Sequence, residues 1–416
     1  MRELHFDAAV IGGGAAGMAA ALEIRKHGAG VCIIERDDEP GGILLQCIHN
    51  GFGLHEYKED LTGPEYAERA LKRVAGSGIE VFTRTTVGEI SVNGAARGLV
   101  CYSSEHGVMR VSARAVVLAM GCRERNRGNL RIPGSRPAGV YTAGLAQRLI
   151  NIDGYIPGRE IVIIGSGDIG LIMARRLQWL GCRVHAVVEI LPYPSGLTRN
   201  IVQCLNDFSI PLYLSHVVTR IYGRDRVEGL DVTPIRNGAP EPARLFHIPC
   251  DTILLSVGLI PENELSKTAG VALAPETGGP VVDATMMTSV EGIFATGNVL
   301  HVHDLVDNVS DESRLTGGFV AGWLSGKSPV RQVPVKAGSN VRYVNPSRVD
   351  PARGNRLYLR PLIVKNRAEL AVHTGNRRIR RLILNHVQPS EMISISLREQ
   401  DLAELPVDAV LEVSLS

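Results

Sequence analysis

The sequence predicts an α/β protein with a β-rich C-terminal part, and three observations lead to this prediction. An apolar strand, a glycine-rich turn and a helix of small residues follow one another from Phe6 to His27. The same order of elements returns from Ile161 to Leu180. After Pro329 the sequence changes to short alternating apolar runs separated by turn residues, which are typical of a small β-sandwich.

The first turn carries three glycines at the spacing Gly12-x-Gly14-x-x-Gly17. In a dinucleotide-binding turn the first glycine makes the bend, the second lets a pyrophosphate approach the backbone, and the third lets the helix pack on the strand. The predicted helix begins at Ala15 and Ala16, where its N–H groups and the positive end of its dipole favour a phosphate. This stretch therefore predicts a nucleotide site at the start of the chain.

A second predicted strand, Val31–Ile34, completes the first unit. It ends in Glu35, at a position from which a carboxylate binds ribose hydroxyls. Arg36 follows directly, and Gly41 and Gly42 close the polar turn behind it. A glycine pair can bring the backbone close to a ligand, so we favour a ligand-binding turn here over a flexible loop.

The second unit repeats each of these parts between Ile161 and Glu189. A later predicted strand ends at a further glycine, Gly258. Because two complete units in one chain are far more specific than one glycine motif, we expect a second nucleotide site. The residues expected to contact the second nucleotide are Gly165, Gly167, Asp168, Ile169, Gly170, Glu189 and Gly258.

The composition limits the class of protein. The chain has 416 residues, 44% of them hydrophobic, and a formal net charge of +2, which favours several cores and gives no reason to expect nucleic acid as a partner. Its seven cysteines are scattered and never spaced C-x-x-C, as expected for reduced thiols in a cytoplasmic protein. Neither a signal-peptide pattern nor an apolar run of roughly twenty residues is apparent, so we expect no transmembrane segment.

Taken together, these residues resemble the two-dinucleotide-binding-domain flavoproteins, such as thioredoxin reductase and ferredoxin–NAD reductases, over about Phe6 to Ser325. The resemblance implies two Rossmann-like domains, of which the first holds FAD and the inserted second holds the nicotinamide cofactor. The segment ending in Gly297 and Asn298 is similar to the family's second FAD motif, which usually has Asp at the last position. A helix from about Ser310 would then point its N-terminus at the flavin pyrimidine.

The FAD contacts that the motifs and the resemblance imply lie in six stretches of the chain. They are Gly12, Gly14, Ala15, Ala16, Gly17, Glu35, Arg36, Gly41, Gly42, Gln46, Cys47, Val87, Ala119, Gly121, Gly297 and Asn298.

A narrower resemblance rests on the segments Gly41–Gly53 and Gly121–Arg125. They look like the FAD/NAD subunits of heteromeric dehydrogenases, which include the α-type subunits of opine oxidase, L-proline dehydrogenase and hydrogen cyanide synthase, and a flavoprotein associated with glycerol-3-phosphate dehydrogenase. This resemblance implies a hetero-oligomer in which a second flavoprotein subunit oxidises the substrate. No cysteine follows Cys250, so an iron–sulfur relay would require a further, small cysteine-rich protein as partner.

These inferences give expected domain limits. We expect a discontinuous FAD domain over 1–150 and 283–330, an NAD domain over 151–282, and a β-rich C-terminal domain over 331–416. The arginines at 377, 378, 380 and 381 cluster in that last domain. We favour a solvated strand face for them slightly over an interface for an acidic partner.

The predicted function is hydride exchange between NAD(H) and enzyme-bound FAD, in the nicotinamide-reactive subunit of a multi-subunit dehydrogenase of the glycerol-3-phosphate or the amine or opine type. Glu189, with no arginine directly after it, favours NAD over NADP because its carboxylate repels a 2′-phosphate. One alternative is an FAD-carrying electron-transfer or assembly subunit that does not use NAD. Another is a stand-alone NADH oxidase or disulfide reductase.

The candidate reactive side chains near the flavin are Cys47 and His49. A disulfide reductase needs a pair of neighbouring cysteines, and Cys47 has no second cysteine in its own loop, which counts against that alternative. The histidines at 49, 301 and 303 lack a third ligand at metal-binding spacing, so the sequence predicts no metal site.

Overall fold

The computed structural model describes residues 2–327 and 331–416, so residues 328–330, at the end of the predicted FAD range, lie outside the described residues. The chain forms two compact units, one made of Met1–Cys122 with Pro261–Ser416 and the other of Arg123–Ile260. Among the helices formed by the described residues, none combines the length and the apolar character needed to cross a membrane.

The first 122 residues form the elements predicted for a nucleotide-binding unit. The last four residues of the first strand and all of the second are buried on both faces, as expected for parallel strands covered by helices. The elements are β1 (Arg2–Ile11), α1 (Ala15–Lys26), β2 (Val31–Ile34), a 3-10 helix (Gly42–Gln46), β3 (Asn50–Phe52), β4 (Leu61–Thr62), α2 (Gly63–Ala75), β5 (Glu80–Phe82), β6 (Thr85–Asn93), β7 (Ala96–Ser103) and β8 (Gly107–Leu118).

β8 is one long strand, whereas the sequence by itself predicts two strands, Val108–Ser112 in a small antiparallel meander and Ala115–Ala119 as a buried strand. Its first half pairs antiparallel with β7, and its whole length runs parallel to β1, with Ala113 opposite Phe6 in the middle. The prediction was wrong because no turn residue interrupts the strand between its two halves. The antiparallel meander is therefore part of the parallel sheet, in the order β5-β2-β1-β8-β7-β6.

The second unit is built around the second glycine turn. Its parallel sheet has the order β10-β18-β11-β12-β13, and a smaller antiparallel sheet joins β14, β15, β16 and β17. The elements are β9 (Cys122–Glu124), α3 (Arg127–Leu130), β10 (Val140–Thr142), α4 (Ala143–Asn151), β11 (Glu160–Ile164), α5 (Asp168–Trp179), β12 (Arg183–Val188), α6 (Thr198–Cys204), a 3-10 helix (Asn206–Phe208), β13 (Leu212–Tyr213), β14 (His216–Gly223), β15 (Val227–Arg236), β16 (Ala239–Pro240), a 3-10 helix (Pro242–Arg244), β17 (Phe246–Pro249), β18 (Thr252–Leu255) and β19 (Leu259–Pro261).

The limits of the units differ from the expected domain limits. β10 pairs in parallel with β18, with Val140 opposite Ile253, and residues 123–150, which were expected in the FAD domain, belong to the second unit. The chain returns to the first unit at Pro261, before the expected return at 283. The segment 331–416 groups with the first unit although it has an apolar core of its own.

The remaining elements complete the first unit. β20 pairs in parallel with the second half of β8. The elements are α7 (Glu264–Thr268), β20 (Ile293–Ala295), a 3-10 helix (Gly297–Val299), α8 (Val306–Leu324), β21 (Val333–Ala337), β22 (Val341–Asn345), β23 (Arg348–Val349), β24 (Asn355–Pro361), β25 (Lys365–Thr374), β26 (Arg377–Val387), β27 (Ile393–Leu397), α9 (Glu399–Leu402) and β28 (Leu411–Leu415).

The C-terminal strands form two sheets around one apolar core, as expected for a small β-sandwich. Their orders are β23-β21-β28-β25-β26 and β22-β24-β27. The arginine cluster lies on β26, at the edge of the larger sheet. Arg377 pairs with Glu404 at 3.0 Å and Arg381 with Glu369 at 2.7 Å, so acidic groups of the same chain already neutralise part of this face.

Candidate dinucleotide-binding sites

Two of the predicted glycines are required by packing within the first turn. Gly12 has a φ of +105°, and a Cβ on it would lie 2.5 Å from the carbonyl oxygen of Ala119. A Cβ on Gly17 would lie 1.8 Å from the carbonyl oxygen of Gly12. These contacts hold the start of α1 directly against the turn and the end of β8, which is the role predicted for the first and third glycines.

Gly14, the middle glycine, has a different environment. A Cβ on Gly14 would meet no atom of the described residues within 4 Å. None of the described side chains caps α1 by a hydrogen bond at this residue, although the first turn of a helix has N–H groups to satisfy. Open space therefore lies beside Gly14 at the start of α1, as the approach of a pyrophosphate requires.

The predicted glycine pair packs on this turn. The Gly41 N–H donates a hydrogen bond to the Gly13 carbonyl at 2.9 Å, and a Cβ on Gly42 would lie 3.2 Å from the Gly14 Cα. Both residues have positive φ values, +136° and +57°, which glycine adopts at little cost. The pair is thus held at the edge of the open space in front of α1.

Glu35 lies at the end of β2, buried to 5% exposure. Its Oε2 accepts a hydrogen bond from the Gly13 N–H at 2.6 Å, and its Oε1 accepts one from the Asp37 N–H at 2.9 Å. A carboxylate offers about four acceptor positions, so this geometry still allows it to accept from ribose hydroxyls. Arg36, next to it, is exposed.

The other predicted contacts of the first site differ in their settings. Val87, on β6, is buried in the apolar core, so only its backbone is available to a ligand. Gly121, with a φ of +73°, follows Ala119 beyond the end of β8. Gln46 is buried at the end of the 3-10 helix, and the His49 ring lies 5.1 Å from the Phe52 ring.

The second FAD motif meets the first at α1. A Cβ on Gly297 would lie 2.7 Å from the Ala16 Cβ, and the φ of Gly297 is +72°. The Asn298 Oδ1 accepts a hydrogen bond from the His303 N–H at 3.0 Å, which stabilises the following loop. With the oxygen so engaged, the amide nitrogen of Asn298 is the atom suited to donate to a ribityl hydroxyl.

α8 begins at Val306, four residues before the predicted start at Ser310. It packs closely on α1, because a Cβ on Gly317 would lie 2.6 Å from the Ala20 carbonyl oxygen. Asp307 lies in its first turn and accepts a hydrogen bond from the Glu56 N–H at 2.9 Å. A carboxylate in this turn offsets the positive end of the helix dipole that was expected to point at the flavin pyrimidine.

The second glycine turn is packed differently from the first. Cβ atoms on Gly165, Gly167 and Gly170 would each come within 3 Å of Ser256, the residue after β18. The Ser256 hydroxyl also accepts a hydrogen bond from the Gly170 N–H at 3.0 Å. The glycines here are required by the approach of β18, and Gly167 has a near neighbour where Gly14 has none.

Glu189 is buried and accepts four hydrogen bonds. Its Oε2 accepts from the Ser166 N–H and hydroxyl, at 2.9 and 2.6 Å, and from the Ser195 hydroxyl at 3.0 Å. Its Oε1 accepts from the Leu191 N–H at 3.0 Å. A ribose hydroxyl reaches this carboxylate only by replacing one of these donors, and the Ser195 hydroxyl is the donor on the loop after β12.

The sequence did not single out Ser166 or Ser195. Ser166 occupies a variable position of the glycine motif, where a hydroxyl carries no known meaning, and Ser195 reaches Glu189 through the folding of a loop. Asp168, a predicted contact, accepts from the Leu197 N–H at 2.8 Å and from the Asn200 amide at 2.6 Å. Its carboxylate is therefore directed towards α6.

The two other predicted contacts of the second site are Ile169, on α5, and Gly258, after β18. Ile169, in the first turn of α5, packs against an apolar core of the second unit. Gly258 follows β18 with a φ of +96°, and a Cβ on it would meet no described atom within 4 Å. Of the predicted residues, Gly258 thus has open space beside it, as Gly14 does in the first site.

Cys47 lies between the 3-10 helix and α2, and its carbonyl accepts a hydrogen bond from the Gly63 N–H at 2.8 Å. Burial raises the pKa of the Cys47 thiol to about 12, so it is protonated at neutral pH. A redox-active cysteine needs thiolate character. This environment counts against the disulfide reductase alternative.

Comparison with known proteins identifies the family. The family described as "Pyridine nucleotide-disulphide oxidoreductase" matches residues 6–313, and the chain belongs to it. Proteins of this family bind FAD and use NAD(P)H, which confirms the predicted class, an FAD-dependent NAD(P)H oxidoreductase with two Rossmann-like domains. The open space at Gly14 and the acceptors of Glu35 fit the pyrophosphate and ribose of FAD.

Two relatives show the breadth of this family. One of the opine oxidase subunits of Agrobacterium tumefaciens (strain Ach5) is 28% identical over 315 residues, which are 70% of this chain and 61% of that protein. The HcnB subunit of hydrogen cyanide synthase from Pseudomonas protegens is 27% identical over 289 residues, 64% of this chain and 60% of that protein. The chain thus spans about six tenths of the length of these relatives.

A solved structure shows the same fold. Thioredoxin reductase of T. acidophilum superposes with a TM-score of 0.64 at 22% identity, covering 76% of this chain and 98% of that one. The family match ends at residue 313, so β21 to β28 lie outside it.

Proposed function

We propose that this chain exchanges a hydride between NAD(H) and bound FAD, as the nicotinamide-reactive subunit of a multi-subunit dehydrogenase acting on glycerol 3-phosphate or on an amine or opine. The observation that carries the proposal is the occurrence of two glycine turns, each with a buried terminal carboxylate, in a chain whose Cys47 is a protonated thiol. The first feature is needed for two nucleotides, and the second disfavours disulfide chemistry.

In this proposal, FAD, when bound, would supply the hydride acceptor, and NADH, oxidised flavin and a proton would give NAD⁺ and reduced flavin. The role of the chain itself is to bind and orient the two cofactors. The N-terminus of α1 stabilises the pyrophosphate, Glu35 accepts from ribose hydroxyls, and the Asn298 amide donates to the ribityl chain. No acid or base is required of the protein for the hydride step, and positioning accounts for the rate.

The preference for NAD rests on Glu189. We infer that the adenosine ribose hydroxyls of NAD replace the Ser195 hydroxyl as donors to its Oε2. A 2′-phosphate brings charge of the same sign to a buried carboxylate, which disfavours NADP. Ile190, which follows Glu189, is exposed and offers an apolar surface for the adenine.

The subunit role is supported by the relatives, two of which are named as subunits of opine oxidase and of hydrogen cyanide synthase. We propose that a second flavoprotein subunit carries the substrate site and that a small cysteine-rich iron–sulfur protein is a further candidate partner. The seven thiols are consistent with a cytoplasmic location, which is part of the proposal.

One observation favours a second candidate function. The Glu189 carboxylate already accepts four hydrogen bonds within the second unit, as it would in a chain that carries FAD without using NAD. In that case the chain transfers electrons or supports assembly of the complex. A stand-alone NADH oxidase is a third candidate and differs in its reaction with oxygen.

Anaerobic titration of the FAD-loaded chain with NADH separates these candidates. We expect loss of oxidised-flavin absorbance at one NADH per flavin, and a weaker response to NADPH. An unchanged flavin spectrum would refute hydride exchange with NADH and support the electron-transfer candidate. Rapid oxygen consumption by the chain alone in air identifies an oxidase, and purification of the native complex, with its components identified by mass, tests the partners.

A further inference from the structure

A cluster of two histidines and a glutamate lies behind the Gly297 turn. His301 and His303 are in the loop between the 3-10 helix and α8, and Glu312 is on α8. The side chains of all three are at most 2% exposed. The sequence shows only the spacing His301-x-His303, and the fold of α8 adds the third side chain.

The distances within the cluster match those between ligands of one metal ion. One ligand atom from each residue can be chosen so that all lie within 4.8 Å of one another. The Glu312 carboxylate lies 2.7 Å from His301 Nε2 and 3.3 Å from His303 Nε2. Ligands at about 2.0–2.1 Å from a tetrahedral zinc ion are separated by roughly 3.3 Å, so small shifts of the His301 ring would complete the arrangement.

Polar atoms without a hydrogen bond lie in and beside the cluster. Among the described residues, His303 Nδ1 and the buried Tyr358 hydroxyl have no hydrogen-bond partner, and His303 Nε2 has only the Glu312 contact at 3.3 Å, which does not form a hydrogen bond. The Tyr358 ring centroid lies 5.5 Å from those of both histidines. Buried polar atoms without a partner are uncommon and are usually explained by an ion or a water molecule.

Neighbouring groups orient the ligands as the outer shell of a metal site does. The hydroxyl of Tyr343, on β22, lies 3.4 Å from His301 Nδ1, the nitrogen opposite the one that faces Glu312. The Gly297 N–H donates a hydrogen bond to Glu312 Oε1 at 2.8 Å. Such partners fix the orientation of ligating rings and carboxylates.

We propose that His301, His303 and Glu312 bind one divalent transition-metal ion, zinc by the nature of the donor set, with a water or the Tyr358 hydroxyl as fourth ligand. The ion joins the loop after Asn298 to α8 and to the strands β22 and β24. It thereby stabilises the turn that carries Gly297. The role is structural, because all three ligands are buried and the ion connects a loop to a helix.

The metal content of the FAD-loaded full chain tests this proposal. The protein is purified without a histidine tag, exposed to zinc chloride alone, freed of excess metal, and analysed by mass spectrometry for metals. We expect about one zinc ion per chain. His303→Ala should reduce the content at least tenfold, whereas His27→Ala, which alters a surface histidine 3.2 Å from Glu23, should leave it unchanged.

His303→Cys guards against a variant that simply fails to fold, because it keeps a zinc-binding side chain. It should retain about one metal ion and, when loaded with cobalt chloride, show a thiolate-to-cobalt absorption that the unsubstituted chain lacks. A folded, FAD-loaded chain without zinc, before and after exposure to it, would overturn the proposal. Absence of the thiolate absorption in metal-loaded His303→Cys would overturn the ligand assignment.

Discussion

Gly297 lies directly against Ala16, so close that a Cβ on Gly297 would come within 2.7 Å of the Ala16 Cβ. This contact brings two motifs, far apart in the chain, to one helix N-terminus. Any side chain on Gly297 must displace the start of α1 and adopt a φ of +72°, which L-residues rarely adopt. The structural requirement at residue 297 is therefore both steric and conformational.

Gly297→Ala should lower the free energy of unfolding by about 1–3 kcal/mol and reduce the flavin content of the purified protein. Thermal denaturation and the flavin-to-protein absorbance ratio measure the two effects. Gly326→Ala is the matched control, because Gly326 has a similar φ of +78° and no described atom within 4 Å of its Cβ position. Equal losses in both variants would mean that strain alone, and not the contact with Ala16, sets the requirement.

Gly14→Val should give a folded but colourless protein. The space next to Gly14 holds no described atom within 4 Å of a Cβ, so the side chain fits the chain itself and obstructs only the pyrophosphate. Circular dichroism and flavin content measure fold and binding separately. Gly17→Ala should instead unfold the chain, since its Cβ would lie 1.8 Å from the Gly12 carbonyl oxygen. Full flavin content in Gly14→Val would contradict the assignment of the first turn to FAD.

Glu189→Gln should weaken the discrimination of NADH from NADPH about tenfold, which corresponds to ~1.4 kcal/mol. The substitution removes the charge that repels a 2′-phosphate while it keeps one acceptor for the Ser166 and Ser195 donors. The ratio of kcat/KM values for the two cofactors is the measurement. Glu160→Gln, which alters a half-exposed carboxylate of the same unit, should leave the ratio unchanged. An unchanged ratio in Glu189→Gln as well would remove the basis for the NAD preference.

Cys47→Ser should retain flavin reduction by NADH within about twofold, because the thiol is protonated below about pH 12 and has no proposed redox step. For the same reason, the thiol should contribute no pH dependence to flavin reduction between about pH 6 and 9. Alkylation of Cys47 in the native protein should be slow over this range and should accelerate on unfolding. Loss of flavin reduction by NADH in Cys47→Ser, at full flavin content, would contradict this prediction and support the disulfide reductase alternative.

The glycine turns could be predicted from sequence because the spacing of their glycines is a local pattern, although distant residues, Ala119 in the first turn and Ser256 in the second, add to the requirement for glycine. The bend at Gly12 and the contact of Gly17 with it arise within six residues. The four donors to Glu189 could not be predicted, since Ser195 reaches it only through the path of a loop. Likewise, the third member of the histidine cluster, Glu312, is supplied by the packing of a helix that starts earlier than its sequence suggested.

The limits of a strand were predictable only where the composition of the segment alone decides them. Val31–Ile34 is uniformly apolar and was predicted with its observed limits. The continuity of β8 depends instead on its neighbours, because its first half alternates exposed and buried residues while its second half is buried throughout. Such a change of pattern resembles two strands until the partners on both sides are known.

The position of β20 beside β8 has a topological consequence. Pairing Phe294 with Val117 closes a loop that contains the whole second unit. The entropy of loop closure grows only with the logarithm of loop length, so each doubling of the enclosed segment costs about 0.6 kcal/mol. The free energy of closing the sheet of the first unit therefore depends only weakly on the length of the inserted segment. A whole nucleotide-binding unit can be inserted between β8 and β20 at a small cost in loop-closure entropy.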